Sequence, residues 1–113
     1  MSDVVCSWCG VKVPEDEGYR AVEPAGLRRA AFCRLEHVVP WVLQGAHWDA
    51  GEDDATAADA EGLGRCARCG EALGDRRVLL VRHRGPHRIG DAFCRLDHLL
   101  DWAKAGGRWG RSG

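Results

Sequence analysis

The chain has 113 residues, 45% of them hydrophobic, and its formal net charge is −1. No apolar run approaches the about 20 residues of a membrane span, so no membrane partner is expected. No apolar leader follows the initial Met1-Ser2-Asp3. The expected setting is therefore a reducing cytoplasm, where paired thiols favour metal over disulfide.

The first element is a knuckle, Cys6-Ser7-Trp8-Cys9-Gly10. A Cys-x2-Cys turn aims backbone N–H groups at its sulfurs, and the glycine after it permits the positive φ that such a turn uses. Residues 14–18 are polar and read as a loop. Tyr19–Val22 and Leu27–Phe32 flank Glu23-Pro24-Ala25-Gly26, which predicts a β-hairpin. A helix should follow, because Leu35, Val38, Val39 and Val42 fall on one apolar face. Pro40 is expected to kink or split it, and Gly45 stands where a left-handed C-terminal cap belongs.

Residues 49–64 carry six acids, no base and no aromatic side chain. They read as a flexible acidic linker, because they offer too little apolar surface to offset the entropy of ordering.

The pattern then repeats. Cys6, Cys9, Cys33, His37, Trp41, Gly45 and Trp48 recur as Cys66, Cys69, Cys94, His98, Trp102, Gly106 and Trp109. A second hairpin is predicted from Arg77–His83 and Arg88–Phe93, with its turn at Arg84–His87. A second, straighter helix carries Leu96, Leu99, Leu100 and Ala103 on its apolar face. The expected organisation is residues 1–48 as one unit, 49–64 as linker and 65–113 as the second unit. Each unit is about forty-five residues long, close to the size at which a hydrophobic core alone stops being sufficient. A bound metal is the expected substitute.

The cysteines supply it. The spacings are Cys-x2-Cys-x23-Cys-x3-His and Cys-x2-Cys-x24-Cys-x3-His, and together they use all six cysteines. Three thiolates and an imidazole make a closed tetrahedral zinc site. The candidate ligands are Cys6, Cys9, Cys33 and His37 for one Zn2+, and Cys66, Cys69, Cys94 and His98 for the other. A disulfide framework would leave the two Cys-x3-His copies unexplained. On a helix, a Cys and a His four apart lie one turn apart on one face. Arg34 and Arg95 follow the helical cysteines and are placed to offset the charge of the thiolates or to donate to sulfur. A catalytic zinc keeps an open position, whereas four protein donors close each site, so no enzyme is expected and no catalytic residue is assigned.

The order of knuckle, hairpin and helix predicts a small α+β zinc-binding fold and resembles a treble-clef zinc finger. The Phe-Cys-x-x-x-ligand start of the helix, with Cys-x2-Cys upstream, resembles TRASH- and MYM-type fingers. Phe93-Cys94-Arg95-Leu96-Asp97-His98-Leu99-Leu100-Asp101-Trp102-Ala103 is similar to the helix of the small YacG-type bacterial zinc proteins, which inhibit DNA gyrase. This chain departs from them in its last ligand, His where they usually have Cys, in a longer gap between ligand pairs, and in the duplication. The TRASH likeness implies metal sensing or protein contact, and the MYM likeness implies protein contact.

Two kinds of partner follow. Trp8, Trp48 and Trp109 are candidates for a protein-binding surface, since tryptophan is enriched at binding hot spots. Trp41 and Trp102 are expected to cover the metal sites and fill the core. Residues 65–113 carry eleven Lys/Arg against five acids. That surplus makes DNA or RNA the competing partner, through Arg76, Arg77, Arg82, Arg84, His87 and Arg88. His83 flanks the same turn. The expected function is a non-enzymatic adaptor or regulator.

Overall fold

The computed structural model describes residues 4–51, 54–59, 63–74 and 77–107. Strands β1 (Val4–Val5) and β2 (Lys12–Val13) are the antiparallel arms of the first knuckle. Strands β3 (Glu17–Glu23) and β4 (Arg28–Phe32) form the first hairpin. A single 3-10 turn, Leu35–His37, leads into helix α1 (Val38–Leu43). After β5 (Asp49–Ala50) and helix α2 (Asp54–Asp59) come the second hairpin, β6 (Val78–Arg84) and β7 (His87–Phe93), and helix α3 (Leu96–Lys104). The result is a small α+β fold with antiparallel sheets. Among the described residues no helix is long and apolar enough to cross a membrane.

Both predicted hairpins are present, with the second turn tightened to Gly85-Pro86. They join in one five-stranded sheet of order β5-β4-β3-β6-β7. An isolated two-stranded hairpin is marginal in water. Pairing β3 with β6 satisfies the inner backbone edges of both hairpins and buries Ala21, Val22, Leu79, Leu80 and Val81, none more than 2% exposed.

The register shows an internal two-fold relation. Tyr19 pairs with Phe32 as Val78 pairs with Phe93. Tyr19 and Val78 are therefore repeat equivalents, as are Ala21 and Leu80. Between the hairpins Ala21 pairs with Leu80, each facing its own counterpart. On either side Arg20 meets Val81 and Val22 meets Leu79, the same exchange read from opposite ends. A local two-fold axis thus passes beside the Ala21–Leu80 pair.

Each sheet face has its own apolar cluster. Ala21, Ala30, Phe32, Val78, Leu80 and Phe93 pack with Val38 and Trp41 of α1 and with Leu99, Trp102 and Ala103 of α3. The helices α1 and α3 also pack against each other. Phe32 meets Trp41 edge-on at 5.0 Å and Phe93 meets Trp102 at 5.2 Å, the T-shaped geometry that aromatic quadrupoles favour. Trp41 is 1% exposed. Trp41→Ala is expected to lower stability by about 3–5 kcal/mol in denaturant unfolding; a loss below about 1 kcal/mol would contradict its place in the core.

The opposite face holds Val22, Leu79, Val81 and Ala92, packed by Ala57, Leu63 and Leu73. Here the structure corrects the reading of residues 49–64 as a flexible linker. Among the described residues of that stretch, β5 pairs with Arg28 and Arg29 of β4, and α2 lies against the sheet with Thr56 2% exposed. The acidic run holds small side chains at its centre, and these let a helix approach closely without large aliphatic residues. Counting large apolar residues missed it for that reason.

The helices differ as expected. Pro40 falls in the first turn of α1, where a missing N–H costs no intrahelical bond, and the helical segment is split into the 3-10 turn and α1. Helix α3 runs unbroken. Both end with a glycine at positive φ, Gly45 at 105° and Gly106 at 99°. The next N–H reaches back five residues, from Ala46 to Trp41 O at 2.8 Å and from Gly107 to Trp102 O at 3.0 Å, as in a Schellman cap.

Candidate metal centres

Each knuckle is held by the same bonds. Cys6 N–H donates to Val11 O and Cys66 N–H to Glu71 O, while Gly10 N–H and Gly70 N–H donate to the carbonyls of Cys6 and Cys66. Gly10 and Gly70 have φ of 84° and 79°, a region a side chain would strain. The turn directs N–H groups at sulfur, from Cys9 to Cys6 Sγ at 3.5 Å and from Arg68 to Cys66 Sγ at 3.4 Å. Each knuckle is moored to its hairpin by a backbone bond, from Ser7 N–H to Ala31 O and from Ala67 N–H to Ala92 O, and in the first Ala31 N–H also donates to Ser7 Oγ at 3.1 Å.

The helix side supplies the other two donors, with one difference from expectation. Cys33 and Cys94 do not lie in the first helical turn. Each precedes an extended cap residue, Arg34 at φ −153° and Arg95 at φ −163°. The histidine sits on the turn that follows, and its Nδ1 approaches the sulfur at 3.3 Å for Cys33–His37 and 3.0 Å for Cys94–His98. Arg34 and Arg95 are exposed.

The structure brings Cys6, Cys9, Cys33 and His37 together, and likewise Cys66, Cys69, Cys94 and His98, with all ligand atoms of a group within 4.8 Å of one another. Two further edges of each group are 3.6 Å for Cys9–Cys33 and 3.7 Å for Cys69–Cys94 between sulfurs, and 3.6 Å from Cys6 and Cys66 to the imidazoles. A tetrahedral zinc with S and N ligands has S···S edges of about 3.8 Å and S···N edges of about 3.5 Å, from bond lengths of about 2.3 and 2.05 Å. The donor type, number and spacing therefore fit: each group could hold a zinc ion through three Sγ atoms and Nδ1. Cys6 and Cys66 are 3% exposed and form the inner corner of each group, while Cys9 and Cys69 are exposed.

The thiols are electrically unlike. Burial opposes ionisation of Cys6, but N–H groups of Cys9, Trp8 and Cys33 and the His37 imidazole donate to it and hold its pKa at about 6. Cys66 is likewise at about 6 through Cys69, Cys94, Arg68 and His98. Burial, the neighbouring thiols and charge on the other sulfurs push Cys33 and Cys94 up to about 11. At pH 7 these two keep their protons in the metal-free chain and must lose them to a metal. Zinc loading is expected to release at least two protons per chain, one from each of Cys33 and Cys94, measurable by calorimetry in buffers of different ionisation enthalpy. Affinity should rise with pH and fall steeply below about pH 6, where Cys6 and Cys66 also protonate. Proton-neutral uptake would contradict this arrangement.

The other candidate residues are dispersed. Trp48 is half-buried, 4.9 Å edge-on from Trp41 and beneath the Arg28 guanidinium at 5.4 Å, so it packs back on the fold. Trp8 stays 43% exposed. Trp109 and Arg76 lie outside the described residues. Arg84, His87 and Arg88 are exposed around the second hairpin turn. Arg82 lines a groove with Glu17, Tyr19 and Cys33, and His83 Nδ1 lies 2.8 Å from Glu15 O. Sequence reasoning missed Arg20, which is 5% exposed and donates to the carbonyls of Pro14 and Glu17 at 2.9 Å, bracing the knuckle loop against β3. An arginine in an otherwise apolar strand, Tyr19 to Val22, was the available signal.

In comparisons with protein-family models, curated proteins and solved structures, nothing matches this chain.

Proposed function

We propose that this is a two-zinc protein of treble-clef type. Cys6, Cys9, Cys33 and His37 hold one ion, and Cys66, Cys69, Cys94 and His98 hold the other. The observation that carries the reading is the pair of four-donor groups, each compact enough to close around one ion. The ions act structurally: four protein donors leave no position for water or substrate, and zinc bound this way contributes folding free energy. The zinc absorption-edge fine structure should show three sulfurs at about 2.3 Å and one nitrogen at about 2.0–2.1 Å per ion. An oxygen in place of a fourth protein donor would overturn the structural role and reopen an enzymatic one.

On that scaffold we read the chain as a non-enzymatic adaptor or regulator that presents a rigid surface to a protein, in line with the TRASH- and MYM-type likeness. The exposed indole of Trp8 supports it. An adaptor should show little affinity for a fluorescent DNA or RNA duplex at low salt. Tight binding that collapses between low and moderate salt would instead mark a nucleic-acid binder acting through the second hairpin.

A further inference from the structure

The two knuckles form a comparison inside one molecule. The bonds that close them match within 0.2 Å: Cys6 N–H to Val11 O at 2.8 Å against Cys66 N–H to Glu71 O at 2.9 Å, Gly10 to Cys6 at 3.0 Å against Gly70 to Cys66 at 2.9 Å, and Ser7 to Ala31 at 2.6 Å against Ala67 to Ala92 at 2.8 Å. The outward side chains do not match. Val5, Trp8 and Val11 are 55%, 43% and 50% exposed. Their counterparts, sixty residues on, are Arg65, Arg68 and Glu71, all exposed. The second knuckle therefore shows that this backbone closes with charged residues at all three positions. Folding does not require the apolar set, and holding it in water forgoes hydrophobic stabilisation. Three exposed apolar side chains within seven residues, one of them a tryptophan, are the composition of a contact surface.

We infer that the first knuckle docks a short segment of a partner protein, bearing an aliphatic or aromatic anchor beside a carboxylate; this gives the adaptor reading its surface and rests on it. Size argues for a short segment: three half-exposed side chains fall well short of the about 800 Å² per partner of a standard stable interface. Charge argues for the carboxylate. Lys12 is the only Lys, Arg, Asp or Glu between residues 4 and 14, it is exposed, and it lies across from Val5 in the ribbon. Its counterpart in the second knuckle is Ala72. The same charge disfavours a second copy of this chain, since a two-fold contact would bring two Lys12 side chains together. A groove of about 290 Å³ opens beside Val5, lined by Val4, Val5, Ala30 and Ala31 together with Arg20, Arg29 and Asp49, and offers a seat of mixed character for the anchor and its carboxylate.

The test selects a phage-displayed library of random twelve-residue peptides on the zinc-loaded full chain. The variant Val5→Arg/Trp8→Arg/Val11→Glu, which gives the first knuckle the side chains of the second, serves for counter-selection. Enriched peptides should share an apolar residue next to an acidic one. Synthetic copies should lose at least tenfold in affinity for the triple variant by fluorescence anisotropy, and less for Lys12→Ala, with zinc content and melting unchanged. Failure of any peptide to enrich would overturn the inference. Equal binding to the triple variant would overturn it while leaving the adaptor reading intact on another surface. Loss of zinc or of folding in that variant would show that the apolar set is structural. Self-association of the wild type that the triple variant abolishes would assign the surface to a second copy.

Discussion

Stripping zinc from the full chain with a strong chelator is expected to abolish cooperative thermal unfolding. Structural zinc in small fingers contributes about 10–16 kcal/mol at neutral pH, while the total stability of a domain is about 5–15 kcal/mol. Two such contributions exceed what the apolar clusters can replace. The centres also hold together what the sheet does not. Each knuckle meets its hairpin through few backbone bonds, and an ion bound by the sulfurs of Cys6 and Cys66, residues 3% exposed, would tie it to the residues that open the helix. Without the ions, the three sulfurs and one imidazole of each group, all within 4.8 Å of one another, keep no reason to converge. Near-ultraviolet circular dichroism from the tryptophans should collapse and return on adding zinc. A metal-free chain that melts cooperatively within a few degrees of the loaded form would contradict this.

The second large effect is expected at the centre of the sheet. Leu80 is 0% exposed and pairs with Ala21 across the junction of the two hairpins. Leu80→Asp puts a carboxylate there with no cation beside it, a cost of several kcal/mol that takes most of a domain's stability. The milder Leu80→Ala should cost about 2–5 kcal/mol. Because β3 and β6 share this pair, the damage should not stay in the second repeat. A chromogenic chelator should draw both zinc ions from Leu80→Asp in one accelerated phase. Rapid release of one ion with the other held as in the wild type would show two repeats acting independently.

Much of this was legible in the sequence because metal ligation and helix capping are local. Cys6 and Cys9 fix a turn by themselves, and Cys33 and His37 are four residues apart. Gly45 and Gly106 mark the helix ends, and the valines and leucines around them show which helix face is buried. The fusion of the hairpins was not legible, because β-pairing between distant strands leaves no mark in either one. Tyr19 to Val22 and Val78 to Val81 read equally well as two separate hairpins. Nor was the role of residues 54–59. Their contact with the sheet depends on small side chains fitting a surface that only the joined strands create. Cys33 and Cys94 show a finer limit. Their spacing to the histidines was read as helical, yet each cysteine stands outside the helix, just before its extended cap residue, Arg34 or Arg95. The four-residue separation serves the metal group either way.

Elemental analysis of the purified full chain tests the central claim most directly. The account predicts two equivalents of zinc per chain, falling to one when both Cys33→Ser and His37→Asn disable the first group. Fewer than two equivalents in the wild type, or two still bound after those substitutions, would contradict it.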